Sequence, residues 1–128
     1  MNAEIKEYIE KYASKLAVNK MVSFTEAEKR AGEFLYAQAQ ITDWRHLLSE
    51  EKIKLTSIQL ATYAEQLSLC TGKTVTENKT TVEASKEYQK AREDLESVEN
   101  DIAYLKAYYD IFQNAHVFFR QMAKGESL

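Results

Sequence analysis

Between Ala84 and Lys124 apolar residues recur in alternating steps of four and three: Ala84, Tyr88, Ala91, Leu95, Val98, Ile102, Leu105, Tyr109, Phe112, His116 and Phe119. Only His116 interrupts their apolar character, and neither Pro nor Gly falls inside the stretch. Such a heptad seam predicts one continuous helix, about 60 Å long at 1.5 Å per residue. A stripe of that length has to be covered by other helices. From Ala84 to Asn100 the remaining positions are mostly charged, so a single narrow seam is expected to be buried there. From Ile102 to Phe119 a second row appears, Tyr104, Tyr108, Ile111, Ala115 and Phe118. That half is predicted to lie inside a bundle or an oligomer interface, with Tyr104, Tyr108, Ile111 and Phe118 as the interface candidates.

Upstream, Ser23-Phe24-Thr25-Glu26 has the form of a capping box and opens a second long helix, about 24–70. Its seam, Phe34, Ile41, Leu48 and Leu55, repeats every seven residues; Leu60, Tyr63 and Leu67 extend the apolar character to its end. Gly32 inside this helix points to a close helix approach, since Gly costs about 1 kcal/mol against Ala there. Gly72 suits the left-handed position past the helix end. Lys73 to Thr80 reads as a loop, with the last helix at about 81–124 and Gly125 ending it. Both Thr80-Thr81-Val82-Glu83 and Thr74-Val75-Thr76-Glu77 fit a capping box, so either can open that helix. The first helix spans about 2–19, capped by Asn2, with Ile5, Tyr8, Ile9, Tyr12 and Leu16 on one face.

A short loop between two long helices makes an antiparallel hairpin. Aligning the seams pairs residues whose numbers sum to about 153: Leu55 with Val98, Leu48 with Leu105, Ile41 with Phe112 and Phe34 with Phe119. The expected fold is therefore all-α. It is a long, coiled-coil-like antiparallel hairpin in one domain, 1–128, with the short first helix packed on its open end and the whole assembled as an oligomeric bundle.

Composition narrows the function. A hydrophobic content of 45% with 29% charged residues fits a folded helical protein. The net charge of −3 gives no global attraction to nucleic acid, so any such contact needs a local basic patch or several chains pooling one. The lone cysteine, Cys70, cannot form an internal disulfide. With no long apolar run and a polar start, the expected location is cytoplasmic, with no membrane partner.

Enzyme motifs are absent: there is no phosphate-binding Gly loop, no paired metal-type histidines and no nucleophile elbow. No catalytic residue, metal ligand or cofactor is expected. His116 is read as a core histidine bonded to a polar neighbour, Cys70 as a small buried hydrophobe and Trp44 as a core residue. The acidic cluster Glu93, Asp94, Glu96, Glu99 and Asp101 is read as a solvated face beside Lys90 and Arg92. The candidate nucleic-acid contacts are Arg45, Lys52 and Lys54 on the second helix, and Lys73 and Lys79 in or near the loop. Single-strand binders combine such cations with aromatic faces. An ordinary solvated surface is the alternative reading of the same residues.

From Phe34 to Met122 the chain resembles the bacteriophage recombination mediator protein UvsY family. The resemblance rests on Leu35-Tyr36-Ala37, on the turn Thr71-Gly72-Lys73, on Val82-Glu83-Ala84-Ser85-Lys86-Glu87 and on Phe118-Phe119-Arg120-Gln121-Met122. It implies a ring-shaped homo-oligomer that displaces single-strand binding protein and loads a RecA-like recombinase onto single-stranded DNA, without nucleotide hydrolysis. This chain is acidic where a single-strand binder is expected to be basic. Two functions are thus carried forward. One is a mediator that binds single-stranded DNA and recombinase. The other is a helical interaction or structural phage protein, an assembly adaptor or inhibitor, with no nucleic-acid contact. Pooling of Lys52, Lys54, Lys73 and Lys79 favours the first; their dispersal favours the second.

Overall fold

In the computed structural model, residues 1–17 and 22–125 are described. Among them are four α-helices and no strand: α1 (Ala3–Ala13), continued by a 3-10 turn (Ser14–Leu16), α2 (Phe24–Ser68), α3 (Val75–Ala84) and α4 (Lys86–Ala123). The expectation of an all-α chain in which two long helices pack together is met. The residues of the first helix expected beyond 17 include 18 and 19, which lie outside the described residues. The chain divides into two compact units, residues 1–46 with 103–128, and residues 47–102; α2 and α4 contribute to both.

In the first unit α2 and α4 run antiparallel around aromatic rings. Phe34 stacks on Phe119 with centroids 5.8 Å apart and lies 5.3 Å from Phe112; all three rings and Ile41 are fully or almost fully buried. The expected Phe34–Phe119 register is the one observed. Ala27, Ala31 and Ala37, on the same face, let α4 approach closely. His116, expected in the core, is half-buried; it has the polar neighbour expected, since its Nδ1 stands 2.8 Å from the Ala31 carbonyl, which accepts the ring proton. Helix α1 covers the broad apolar end, as its amphipathic face requires. Ile9 is fully buried, Tyr12 lies 6.4 Å from Phe112, and Tyr8 meets Trp44 edge-on at 5.0 Å.

Two local features hold α1 in place. Asn2 accepts the Glu4 N–H at 2.8 Å and caps the start of the helix. At its far end the Arg30 guanidinium donates to the Lys15 and Ala17 carbonyls and lies over the Phe119 ring, while Lys15 pairs with Glu33.

In the second unit Gln59 donates to the Tyr88 hydroxyl at 3.4 Å and Tyr63 meets Tyr88 edge-on at 5.7 Å, so α2 and α4 pack together here too. Leu55 and Val98 are half-buried, and Ala91 and Leu95 are buried.

Three expectations are corrected. First, most of Lys73 to Thr80 is not a loop but the first part of α3. The Thr74 cap is the one used: its hydroxyl accepts the Glu77 N–H at 3.0 Å. The β-branched threonines fit a helix because Thr80 and Thr81 return their hydroxyl protons to the carbonyls of Thr76 and Glu77. Second, the helix expected from about 81 is divided at Ser85, which is extended (φ −67°, ψ 144°). Ser85 closes α3 through its N–H to the Val82 carbonyl and opens α4 by accepting the Tyr88 N–H. Buried Val82 anchors the short helix. No break occurs at Ile102.

The third correction concerns glycines. Gly125, not Gly72, takes a left-handed conformation (φ 70°). Gly72 instead lies close against α3: a Cβ there would displace the end of the Asn78 side chain and stand 3.1 Å from the Glu77 Cβ. Gly32 does not mark a close approach. It is exposed, and a Cβ built on it meets no atom within 4 Å.

Gly32→Ala is therefore expected to stabilise the chain by about 0.5–1 kcal/mol, read as a higher urea midpoint with unchanged slope. A lower midpoint would restore the close approach.

The Tyr8 hydroxyl is buried with no partner at full hydrogen-bond geometry, the Tyr12 side chain being its polar neighbour. Burial first, then neighbouring Tyr12, raise its pKa above the ordinary tyrosine value. The neutral phenol is thus favoured in the folded chain, and its stabilising effect is complete below about pH 10 and declines as pH rises beyond it. Tyr8→Phe is expected to leave urea stability at pH 7 unchanged or raise it by up to about 1 kcal/mol, and to reduce the alkaline loss. A substantial loss at pH 7 would show that the hydroxyl has a partner.

Candidate nucleic-acid interface

The five candidate cations lie in distinct settings. Arg45 belongs to the first unit and is half-buried: its Nε is buried without a hydrogen-bond partner and its guanidinium lies 5.9 Å from the Tyr109 ring centroid. An arginine seated on an aromatic face is engaged in its own fold and offers little to a phosphate.

Lys52 and Lys54 are exposed on α2 of the second unit. Two residues apart on a helix means about 200° apart round its axis, so they point to opposite sides. Glu50 and Glu51 immediately precede them, and Glu65 follows further along the helix. Lys73 is exposed in the connection before α3, and its backbone N–H donates to the Glu77 carboxylate at 2.9 Å. Fourteen residues of helix separate Lys54 from the last residue of α2, a rise of about 20 Å. Lys79, on α3, faces Glu83 at 4.0 Å.

The cations are thus dispersed along the second unit, and others there are matched by acids one helical turn away. Lys90 pairs with Asp94 at 3.5 Å and Arg92 with Glu96 at 3.0 Å. The hydrogen bond that Arg92 donates to the Glu96 carboxylate, followed by the charge of Glu96, raises the Arg92 pKa. A groove of about 390 Å³ lined by Gln59, Tyr88, Arg92, Leu95 and Glu96 opens to solvent beside this pair. Its carboxylates have none of the shielding that acid–base chemistry uses. Among the described residues no His, Cys, Asp and Glu group could hold a metal ion, and no helix is long and apolar enough to cross a membrane.

The interface candidates on α4 divide into two pairs. Tyr104 and Tyr108 are half-buried in the first unit, their rings 4.9 Å apart, with Tyr108 5.7 Å from Phe112. Burial, then the charge of Tyr108, raises the Tyr104 pKa. Ile111 and Phe118 remain 41% and 39% exposed, seven residues apart on one helix face. These two are available to a neighbour; the tyrosines serve mainly the unit's own packing.

Leu60 and Leu67, read from the sequence as extending the apolar character of the helix to its end, belong with Ile53 to a separate row. On α2 of the second unit these three repeat every seven residues and stand in solvent. Their phase was the available signal. Leu60 is five residues beyond Leu55, about 140° away round the helix, so it cannot continue the seam of Phe34, Ile41, Leu48 and Leu55. Cys70, expected to be buried, is half-buried, its thiol directed at the Gln66 and Asn78 carbonyls.

Compared with protein-family models, curated proteins and solved structures, the chain has no match.

Proposed function

We propose that the chain is a non-catalytic helical assembly protein that works as a homo-oligomer, of the kind its resemblance to the recombination mediators implies. One observation carries this reading: in both units large apolar side chains stand in solvent on helix faces. They include Leu35, Ile111 and Phe118 in the first unit, and Ile53, Leu60 and Leu67 in the second, each at least 39% exposed. Single exposed apolar residues are common, but rows at heptad spacing are what helix partners cover. The resemblance supplies the partners: single-stranded DNA and a RecA-like recombinase.

A single copy offers a poor surface to DNA, because Lys52, Lys54 and Lys73 point from separate places. Among the described residues, however, the side chains of these three lysines form no ion pair, and an oligomer would multiply a weak patch into an avid one. The second reading is an interaction or structural protein without nucleic-acid contact. The acidic balance and the pairing of Lys79, Lys90 and Arg92 with neighbouring acids favour it.

Sedimentation equilibrium is expected to give a multiple of the monomer mass. The assembled chain is expected to bind a fluorescent single-stranded oligonucleotide at about 50 mM salt and to weaken steeply by about 200 mM. A monomer at all concentrations overturns the proposal. An oligomer that leaves the oligonucleotide free even at low salt removes DNA from the role and supports the second reading.

A further inference from the structure

In the second unit α2 keeps a row of apolar residues in solvent. The half-buried residues of α2 there are Leu48 and Leu55 together with polar or mixed ones, among them Gln59, Thr62, Tyr63 and Gln66, and no residue of α2 beyond Ile41 is fully buried. The outward row is Ile53, Ser57, Leu60, Ala64 and Leu67, in steps of four, three, four and three. All five are exposed, Ile53 and Leu60 at 68%. The row has the period of a coiled-coil seam. None of the five carries a charge. The Ser57 hydroxyl already donates to the Ile53 carbonyl at 3.2 Å, so burying it strands no donor.

We propose that this seam is the docking surface for α2 of a second copy of the chain, packed antiparallel. The proposal rests on the assembly reading above and adds the surface and the orientation. The side-chain sizes alternate, Ile, Ser, Leu, Ala, Leu. Antiparallel pairing sets Leu60 against Ala64 of the second copy and Ser57 against Leu67 of the second copy, so both leucines fill the space over a small side chain, while Ile53 falls beyond the last residue of the partner helix. Parallel pairing sets Leu60 on Leu60 and Ala64 on Ala64, and the layers alternate between crowded and empty.

Charge selects the same orientation. Glu50 occupies the next seam position before Ile53, and Lys54 flanks the seam. Parallel helices would face Glu50 with Glu50 and bring Lys54 near Lys54. Antiparallel helices separate these pairs and carry Lys54 to Ser68 of the second copy, the last residue of its α2, where the helix dipole ends negative.

The test uses the full chain. Leu60→Glu changes an exposed residue and is expected to keep the circular-dichroism spectrum while reducing the sedimentation mass to a lower oligomer or a monomer. Phe118→Glu, in the other unit, serves as the control face. Orientation is read by oxidising a mixture of Lys54→Cys and Ser68→Cys variants, each also carrying Cys70→Ser. Disulfides between the two variants are expected. Disulfides within the Lys54→Cys variant alone overturn the antiparallel arrangement. An unchanged mass for Leu60→Glu, with dissociation by Phe118→Glu, overturns the seam yet leaves the assembly reading standing; a monomeric parent chain overturns both.

Discussion

The aromatic cluster of Phe34, Phe112 and Phe119 is the constraint on which the first unit depends. Three large rings from two helices fill one layer with almost no exposure, and they do so only in one register, because a one-residue slip would rotate each ring by about 100° out of the seam. Everything else in that unit follows from this choice. The alanines of α2 bring α4 close, and the Ala31 carbonyl thereby falls within reach of His116. The remaining apolar surface is what α1 covers with Ile9 and Tyr12. A helix as short as α1 is marginal alone, so its order is borrowed from the layer beneath it.

Heptad spacing made this part of the chain legible. Phe34 and Phe119 could be paired from periodicity and the antiparallel rule, and the cover provided by α1 followed from the width of the apolar surface. The region from Cys70 to Ser85 was read less well, because two capping boxes competed and local hydrogen bonding decided between them. The threonines of α3 look unhelical by propensity, yet their hydroxyls find acceptors one turn back. Ser85 is a single residue able to end one helix and begin another, and nothing in the apolar period marks it. The glycines were misassigned for a related reason. Whether a glycine serves conformation or space depends on its neighbours: Gly72 accommodates Asn78, whereas Gly32 accommodates nothing.

The candidate cations show what sequence proximity leaves out. Lys52 and Lys54 are close in the chain but oppose each other across the helix, and Arg45 is committed to Tyr109. Elsewhere on α3 and α4, acids four residues from a cation have neutralised it locally, which supports each helix but leaves little field beyond it. A chain organised in this way attracts a polyanion weakly as a single copy. Any nucleic-acid role consequently depends on assembly, and assembly must be driven by something other than charge.

That driving force lies in the asymmetry of α2. In the first unit Phe34, Ile41 and three alanines of α2 are buried; in the second its half-buried residues are Leu48, Leu55, amides, threonines and a tyrosine, none fully buried, while Ile53, Leu60 and Leu67 face water. An inward face of this kind contributes few buried apolar groups, so the second unit gains little from its own interior. The hydrophobic effect acts on whichever surface is available, and the largest gain left to this unit is outside it. A seam that is charge-free, periodic and alternating in size gives that gain a direction, since it favours a helix of complementary pattern over a generic greasy surface. The same α2 sequence meets that requirement when its direction is reversed.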